Sequence, residues 1–230
     1  MKLNEKMGPL TVAAAGGYMR YFRDRADAGA RLGEHLAAHS PKNPLVLGLA
    51  RGGVPVAAQV ARRLEGELDV VIARKVGAPT SGELAIGAVT ADVGFYVNKP
   101  LMRELAIPAA YVERVSEMEA AEARRQERRL HTHVMPNVAG RTVYMIDDGL
   151  ATGATMIAAA RSVRVRGPAC IVVAAPVASA EAHAELRREV DEVVCLVIPQ
   201  PFWAVGLYYQ DFSQVTDEEV LRILDQNTEL

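Results

Sequence analysis

The sequence predicts an α/β protein whose central parallel sheet is covered by helices on both faces. Strand and helix patterns alternate along most of the 230 residues, and the strand segments are continuous apolar runs. Uninterrupted apolar strands are typical of parallel sheets that are buried on both faces. Ligands of such sheets bind beside the carboxyl ends of the strands, so we expect the functional residues in the loops that follow the strands.

The first third of the chain contains two predicted helices and two predicted strands. Apolar residues at helical spacing alternate with short apolar runs, and Pro41 and Pro44 end the first helix. The predicted order is a helix at 24–38, a strand at 45–49, a helix at 54–64 and a strand at 68–73.

Residues 74–99 depart from this alternation and are predicted to form a long, irregular arm. Glycines and a proline interrupt the segment, and the strand patterns within it are weak. A connection of this length inside a compact domain is usually functional. We expect the arm to be flexible without ligand, because its composition supports little packing.

A long helix is predicted at 108–133, with Val112, Val115 and Met118 on a narrow apolar stripe. The second half of this helix is mostly charged and includes a basic cluster at 124–129. A solvated helix face is the expected explanation of the charges. A contact between the two chains of a homodimer is the alternative.

The remainder of the chain returns to regular alternation and ends in a short helix. Thr216 is the expected cap of that last helix, with Glu219 three residues on. Residues 199–212, which precede it, are aromatic and irregular. The predicted strands lie at 141–146, 169–175 and 193–198, and the predicted helices at 153–165, 179–189 and 216–224.

Composition and charge exclude several classes of protein. Lys and Arg total 26 and Asp and Glu total 28, so the net charge of −2 gives no general signal for nucleic acid or a membrane surface. No apolar run approaches the roughly 20 residues needed to cross a bilayer. Cys170 and Cys195 lie in apolar runs and are expected to be buried thiols on strands. We expect a cytoplasmic protein with an N-terminal extension at 1–18 and a single domain at 19–230.

The strongest functional signal lies at the end of the strand predicted at 141–146. That strand runs into Asp147 and Asp148, and a loop of small residues then leads into a helix. Small residues let the backbone direct its N–H groups to one point, and the helix adds unpaired N–H donors and the positive end of its dipole. Together they form an anion site, most simply for a phosphate. Two aspartates would repel a bare phosphate, so they indicate a ligand that also offers hydroxyls or Mg²⁺, such as a ribose 5-phosphate.

The stretch at 143–155 closely resembles the phosphoribosyl-pyrophosphate signature of type I phosphoribosyltransferases. The resemblance implies that Asp147 and Asp148 hold the ribose hydroxyls and a Mg²⁺ cofactor, directly or through water. The residues implied to cradle the 5-phosphate are Ala151, Thr152, Gly153, Ala154 and Thr155.

The resemblance extends over about residues 20–212. The run Phe22-Arg23-Asp24-Arg25, the long charged helix and the aromatic tail look most like a bacterial group known only as predicted phosphoribosyltransferases. The fold implied is the type I phosphoribosyltransferase fold, with a flexible arm at 74–99 and a C-terminal hood at 199–212.

Two further loops carry groups suited to a pyrophosphate. Ala50-Arg51-Gly52-Gly53 follows the first strand, and Arg74-Lys75 follows the second. Glycines let backbone amides approach phosphates, and an arginine can bind two phosphate oxygens at once. Pyrophosphate is bound at these positions in the family. The resemblance therefore implies catalytic roles for Arg51 and Lys75 as well as the two aspartates, and substrate-binding roles for Ala50, Gly52, Gly53 and Arg74.

The acceptor is expected beneath the hood, where Phe202, Trp203, Tyr208 and Tyr209 could stack on a flat base. Coverage of a sheet edge is the alternative role for these side chains. In family members that act on 6-oxopurines, an aspartate stands at the position of Ala151. Because alanine stands here in place of that aspartate, hypoxanthine and guanine are disfavoured as the acceptor.

We therefore expect transfer of a 5-phosphoribosyl group from phosphoribosyl pyrophosphate to a nitrogen nucleophile such as a nucleobase, with release of pyrophosphate, as in nucleotide salvage. The partners expected are these small molecules, with neither nucleic acid nor a membrane among them. A non-catalytic regulator that binds phosphoribosyl pyrophosphate or a nucleotide on the same fold is the alternative function.

Overall fold

A five-stranded parallel sheet runs through the computed structural model, which describes residues 21–38, 41–79, 81–131 and 136–228. The elements in chain order are α1 (Arg25–Ala37), β1 (Leu45–Leu49), α2 (Gly53–Leu64), β2 (Glu67–Val71), β3 (Ala73–Ala78), β4 (Ser81–Thr90), β5 (Phe95–Val97), α3 (Lys99–Glu104), α4 (Ala109–Leu130), β6 (Thr142–Ile146), α5 (Ala154–Arg164), β7 (Cys170–Val177), α6 (Ala180–Leu186), β8 (Glu192–Val197) and α7 (Asp217–Thr228). The extension predicted at 1–18 lies outside the described residues.

The predicted central sheet is confirmed. Its strand order is β2-β1-β6-β7-β8, and every neighbouring pair is parallel. Alternate side chains of one strand enter different cores, because successive residues of a strand point to opposite faces. In β6, Val143 and Met145 join the core beneath α5 and α6, whereas Tyr144 and Ile146 join the core beneath α1 and α2. The acids that follow β6 are therefore attached to a fully buried strand.

The arm is regular rather than irregular, so that prediction was wrong. β3, β4 and β5 form a separate antiparallel sheet, and α3 follows it with Asn98 as its cap. The predicted strand at 68–73 is divided, because β2 ends at Val71 and β3 starts at Ala73 in the other sheet. Contacts with α4 order this segment, through Val76, Ile86 and Val112.

Helix α4 is more buried than its charge suggested. Ala123 and Leu130 lie in a core with Val220 and Leu224 of α7, so a solvated face describes only part of its second half. Met118, which was predicted on the apolar stripe, is exposed. The charged residues around the two apolar positions masked this packing in the sequence.

The residues just before α1 meet the hood. The backbone N–H of Phe22 donates to Tyr208, and that of Gln210 donates to Phe22, at 3.0 and 2.8 Å. The segment at 199–212 is irregular as predicted, apart from a 3-10 turn at Val205–Tyr208. This pairing fixes the hood to the residues that precede α1.

Two smaller predictions concern cysteines and membrane spans. Cys195 is buried and Cys170 half-buried, so burial is complete for only one of them, and both are free thiols. Within the described ranges, no helix combines the length and the apolar character that crossing a bilayer requires.

Replacing Ile86 by alanine should destabilise the protein by about 2–5 kcal/mol, because Ile86 is fully buried between the antiparallel sheet and α4. Leu84→Ala in the same strand is the matched control, since Leu84 is 38% exposed, and its cost should be about 1 kcal/mol. Urea denaturation measures both values. Equal losses in the two variants would show that the antiparallel sheet does not pack stably on α4.

Candidate active site

Several predicted site residues line one cleft at the carboxyl ends of the central strands. The cleft has a volume of about 770 Å³, and it lies between the loop after β1, the start of β3, the N-terminus of α5 and one side of α4. The predicted residues on its wall are Ala50, Arg51, Arg74, Lys75 and Thr155. The structure therefore brings together residues that the sequence separates by more than a hundred positions.

The small-residue loop between β6 and α5 leads directly into a helix N-terminus. Gly153 has a φ of 73°, a left-handed conformation that favours glycine, and α5 starts at the next residue. The N–H of Ala154 points to Thr152 Oγ1 at 3.4 Å. Ser179 Oγ donates to the carbonyl of Ala151 at 2.7 Å, which fixes the start of the loop.

The glycines of the loop after β1 are required by the acids that follow β6. A Cβ atom on Gly52 would overlap the carboxylate of Asp148. A Cβ atom on Gly53 would overlap the carbonyl of Ile146 and approach Asp147. Only glycine allows this contact, so the loop after β1 packs directly on the two acids.

Asp147 and Asp148 are both half-buried, and the side chain of Asp148 is 13% exposed. Burial and the neighbouring charge of Asp148 raise the pKa of Asp147 well above its ordinary value. Burial also raises the pKa of Asp148, although the positive charge of Arg25 opposes this shift. The charged form of each acid therefore needs compensation.

Arg25 supplies that compensation and was missed as a site residue. Its Nε donates to Asp148 Oδ2 at 2.7 Å, with side-chain exposures of 12% and 13%. Its Nη1 donates to the carbonyl of Ser213 at 2.7 Å, and its guanidinium lies 3.9 Å from the ring centroid of Phe212. The run at 22–25 contains Arg25, but nothing in the sequence indicates a partner 123 positions away.

The hood contacts the acids through Tyr209, one of the aromatic residues predicted to stack on the acceptor. The hydroxyl of Tyr209 donates to the carbonyl of Asp148 at 2.6 Å. Tyr208 is buried and stacks on Phe202 with a centroid distance of 5.8 Å, so these two rings pack within the hood. Trp203 is 67% exposed and is the predicted acceptor-side residue that remains accessible.

The arginines of the cleft are paired with carboxylates that the sequence analysis did not identify. Arg74 Nε donates to Glu119 Oε2 of α4 at 2.5 Å. Asp217 of α7 lies 3.7 Å from Arg51 Nη1 and 3.0 Å from Arg129 Nη2. These pairs join distant segments, so no local pattern could have predicted them.

The two acids are the residues suited to hold a divalent metal. Among the described residues, there is no group of three or more His, Cys, Asp or Glu side chains that could hold a metal ion. Magnesium commonly binds one or two carboxylates and completes its shell with waters and substrate phosphates. Asp147 and Asp148 fit that partial ligand set.

Comparison with known proteins identifies a matching family and several similar proteins. A family model described as "Phosphoribosyl transferase domain" matches residues 23–93 and 90–211. Two curated Mycobacterium tuberculosis proteins, each named "Putative phosphoribosyl transferase", are 41% identical over 209 residues, which is 90% of this chain and 47% of theirs. The chain thus spans about half the length of the curated relatives it matches. The crystal structure of TT1426 from Thermus thermophilus is 47% identical, with a TM-score of 0.75 and coverage of 90% of this chain and 98% of that one.

Arg25→Met should lower the free energy of unfolding by about 3–5 kcal/mol at neutral pH, because it leaves the Asp148 carboxylate buried without its partner. In the variant, burial raises the pKa of Asp148 unopposed. The folded state then binds a proton more tightly than the unfolded state, so stability falls as pH rises from the ordinary carboxyl pKa to the raised one. The loss of unfolding free energy relative to the wild type should therefore be smaller at acidic pH than at neutral pH.

Denaturation of Arg25→Met and the wild type at acidic and neutral pH measures this difference. Arg188→Met is the control, because Arg188 forms an exposed pair with Glu185. A deficit of equal size at both pH values would contradict the assigned role of Arg25.

Proposed function

Because the chain belongs to the phosphoribosyl transferase domain family, we propose that it transfers a 5-phosphoribosyl group from phosphoribosyl pyrophosphate to a nitrogen atom of a small acceptor, with a nucleobase as the first choice. The resemblance found in the sequence is thereby confirmed for the family and for the type I fold. One observation carries the proposal: two acids end a buried strand, and a phosphate-type loop follows them while an Arg-Gly-Gly loop packs on their carboxylates.

The ribose 5-phosphate is proposed to bind at the start of α5. The residues at 151–155 would surround the phosphate with backbone N–H groups, supplemented by the hydroxyls of Thr152 and Thr155. Asp147 and Asp148 would accept hydrogen bonds from ribose hydroxyls. A sugar hydroxyl that donates to a buried carboxylate also favours its charged form, so binding would offset part of the desolvation that raises the pKa of Asp147.

The pyrophosphate is proposed to leave into the basic part of the cleft. Negative charge collects on the pyrophosphate as its bond to the ribose breaks, and positive charge develops on the sugar ring. Arg51, Arg74 and Lys75 line that part of the cleft and would stabilise the leaving group. The two aspartates lie against the glycines of the loop after β1 and would stabilise the sugar.

Asp147 and Asp148 would also hold Mg²⁺, directly or through water, and the ion would neutralise charge on the departing pyrophosphate. The sheet of β3, β4 and β5 forms one side of the cleft through Lys75, Gly77 and Gly82. Closure of this arm over the substrates would exclude water, which matters because the activated sugar is readily hydrolysed.

The acceptor is proposed to bind on the hood side, beside the accessible ring of Trp203. Ala151 provides no carboxylate to exchange a proton with a 6-oxopurine, so other nitrogen nucleophiles are favoured. The choice of base would then depend on the residues around the hood rather than on the two acids.

The function is tested by incubating the protein with phosphoribosyl pyrophosphate, Mg²⁺ and one nucleobase at a time, and by measuring pyrophosphate release together with the ribosylated product. We expect release that depends on one acceptor, with adenine and orotate more effective than hypoxanthine or guanine. Tight binding of phosphoribosyl pyrophosphate without turnover on any acceptor would favour a non-catalytic regulator on the same fold.

Asp147→Asn and Asp148→Asn should each weaken binding of phosphoribosyl pyrophosphate with Mg²⁺ by about ten- to a hundredfold, since each removes a charge-assisted hydrogen bond. Asp147→Asn should not lower the melting temperature at neutral pH, because burial already penalises its charged form. Titration calorimetry and thermal melting measure the two effects. Asp225→Asn on the exposed side of α7 is the control, and wild-type affinity in both site variants would place the ribose phosphate elsewhere.

A further inference from the structure

The first residue of α7 reaches into the cleft between two arginines. Asp217 Oδ1 lies 3.7 Å from Arg51 Nη1, and Asp217 Oδ2 lies 3.0 Å from Arg129 Nη2. All three side chains line the cleft. Asp217 is 21% exposed in its side chain, whereas the arginines are more exposed. A carboxylate thus lies between two of the arginines that line the cleft.

The position of Asp217 is fixed by the packing of its helix. Val220 and Leu224 of α7 are buried against Val54 of α2 and Leu130 of α4. The first turn of α7 also favours a negative charge, because the helix dipole is positive there. The carboxylate therefore stays in place, while the two long arginine side chains can turn toward a ligand.

The contact with Arg51 is loose. A separation of 3.7 Å is too long for a hydrogen bond, and the buried Oδ1 atom accepts none from any residue in the described part of the chain. An ion pair of this kind, with a half-exposed arginine, contributes little stability and is readily exchanged for another anion. Arg51 therefore lies near Asp217 without forming a hydrogen bond to it.

We propose that Asp217 is an internal competitor of the pyrophosphate, and that Arg129 is a further residue that contacts the pyrophosphate. The inference rests on the proposed function, because it takes Arg51 as a pyrophosphate-binding residue. When the polyanion is bound, Arg51 and Arg129 turn from Asp217 to the phosphate oxygens, and the fixed carboxylate repels the ligand. Asp217 thereby weakens the hold on pyrophosphate and favours its release as a product.

Titration calorimetry with magnesium pyrophosphate tests the inference. Asp217→Asn keeps the shape of the side chain and removes its charge, so it should bind pyrophosphate about three- to tenfold more tightly than the wild type. Arg129→Gln should bind it more weakly. Glu219→Gln removes a charge from the same turn of α7, away from the cleft wall, and should bind like the wild type.

The outcomes separate the two proposals. If the wild type and Asp217→Asn bind pyrophosphate equally while Arg51→Gln binds it weakly, the proposed role of Asp217 is wrong. The proposed function is not overturned by that result. A wild type that does not bind magnesium pyrophosphate would overturn the proposed function and this inference together. Asp217→Ala carries the same expectation of tighter binding, because alanine is well suited to a helix, so a folding defect of one variant does not decide the result.

Discussion

Two carboxylates at the end of a buried strand are the constraint on which the site is built. β6 is central in the sheet and apolar on both faces. The residues that follow it are therefore attached to a strand that is buried from water along most of its length. Burial raises the pKa of Asp147 and of Asp148, and the surrounding residues reduce the cost of keeping these acids. Arg25 offers a counter-charge to Asp148, and Tyr209 donates to its carbonyl.

The same constraint explains why distant segments meet at this point. Arg25 contacts Asp148, Ser213 and Phe212, so it joins α1, the end of β6 and the residues after the hood. The loop after β1 must be glycine at positions 52 and 53, because side chains there would overlap the end of β6. The loop after β1 and the end of the hood are therefore both attached to the residues that follow β6.

Much of the architecture could be predicted from local pattern, and the exceptions have physical reasons. Apolar runs were sufficient for the central strands, and the predicted cap of the last helix is confirmed, since the N–H of Glu219 donates to Thr216 Oγ1 at 3.2 Å. The arm was missed because its strands contain much alanine and glycine and are ordered by packing on α4. Arg25 and Asp217 were missed because each forms its ion pair with a residue far away in the sequence.

The separation of Arg25 from its partners has a consequence for synthesis of the protein. Asp148 lies 123 positions and Ser213 lies 188 positions after Arg25. A chain that emerges from the ribosome N-terminus first can form α1 and the early strands long before these contacts exist. The acids after β6 gain their counter-ion only when α1 docks, and Arg25 gains its last partner only when residue 213 has been made. Contacts of such high sequence separation form slowly, so the site is completed among the last parts of the fold.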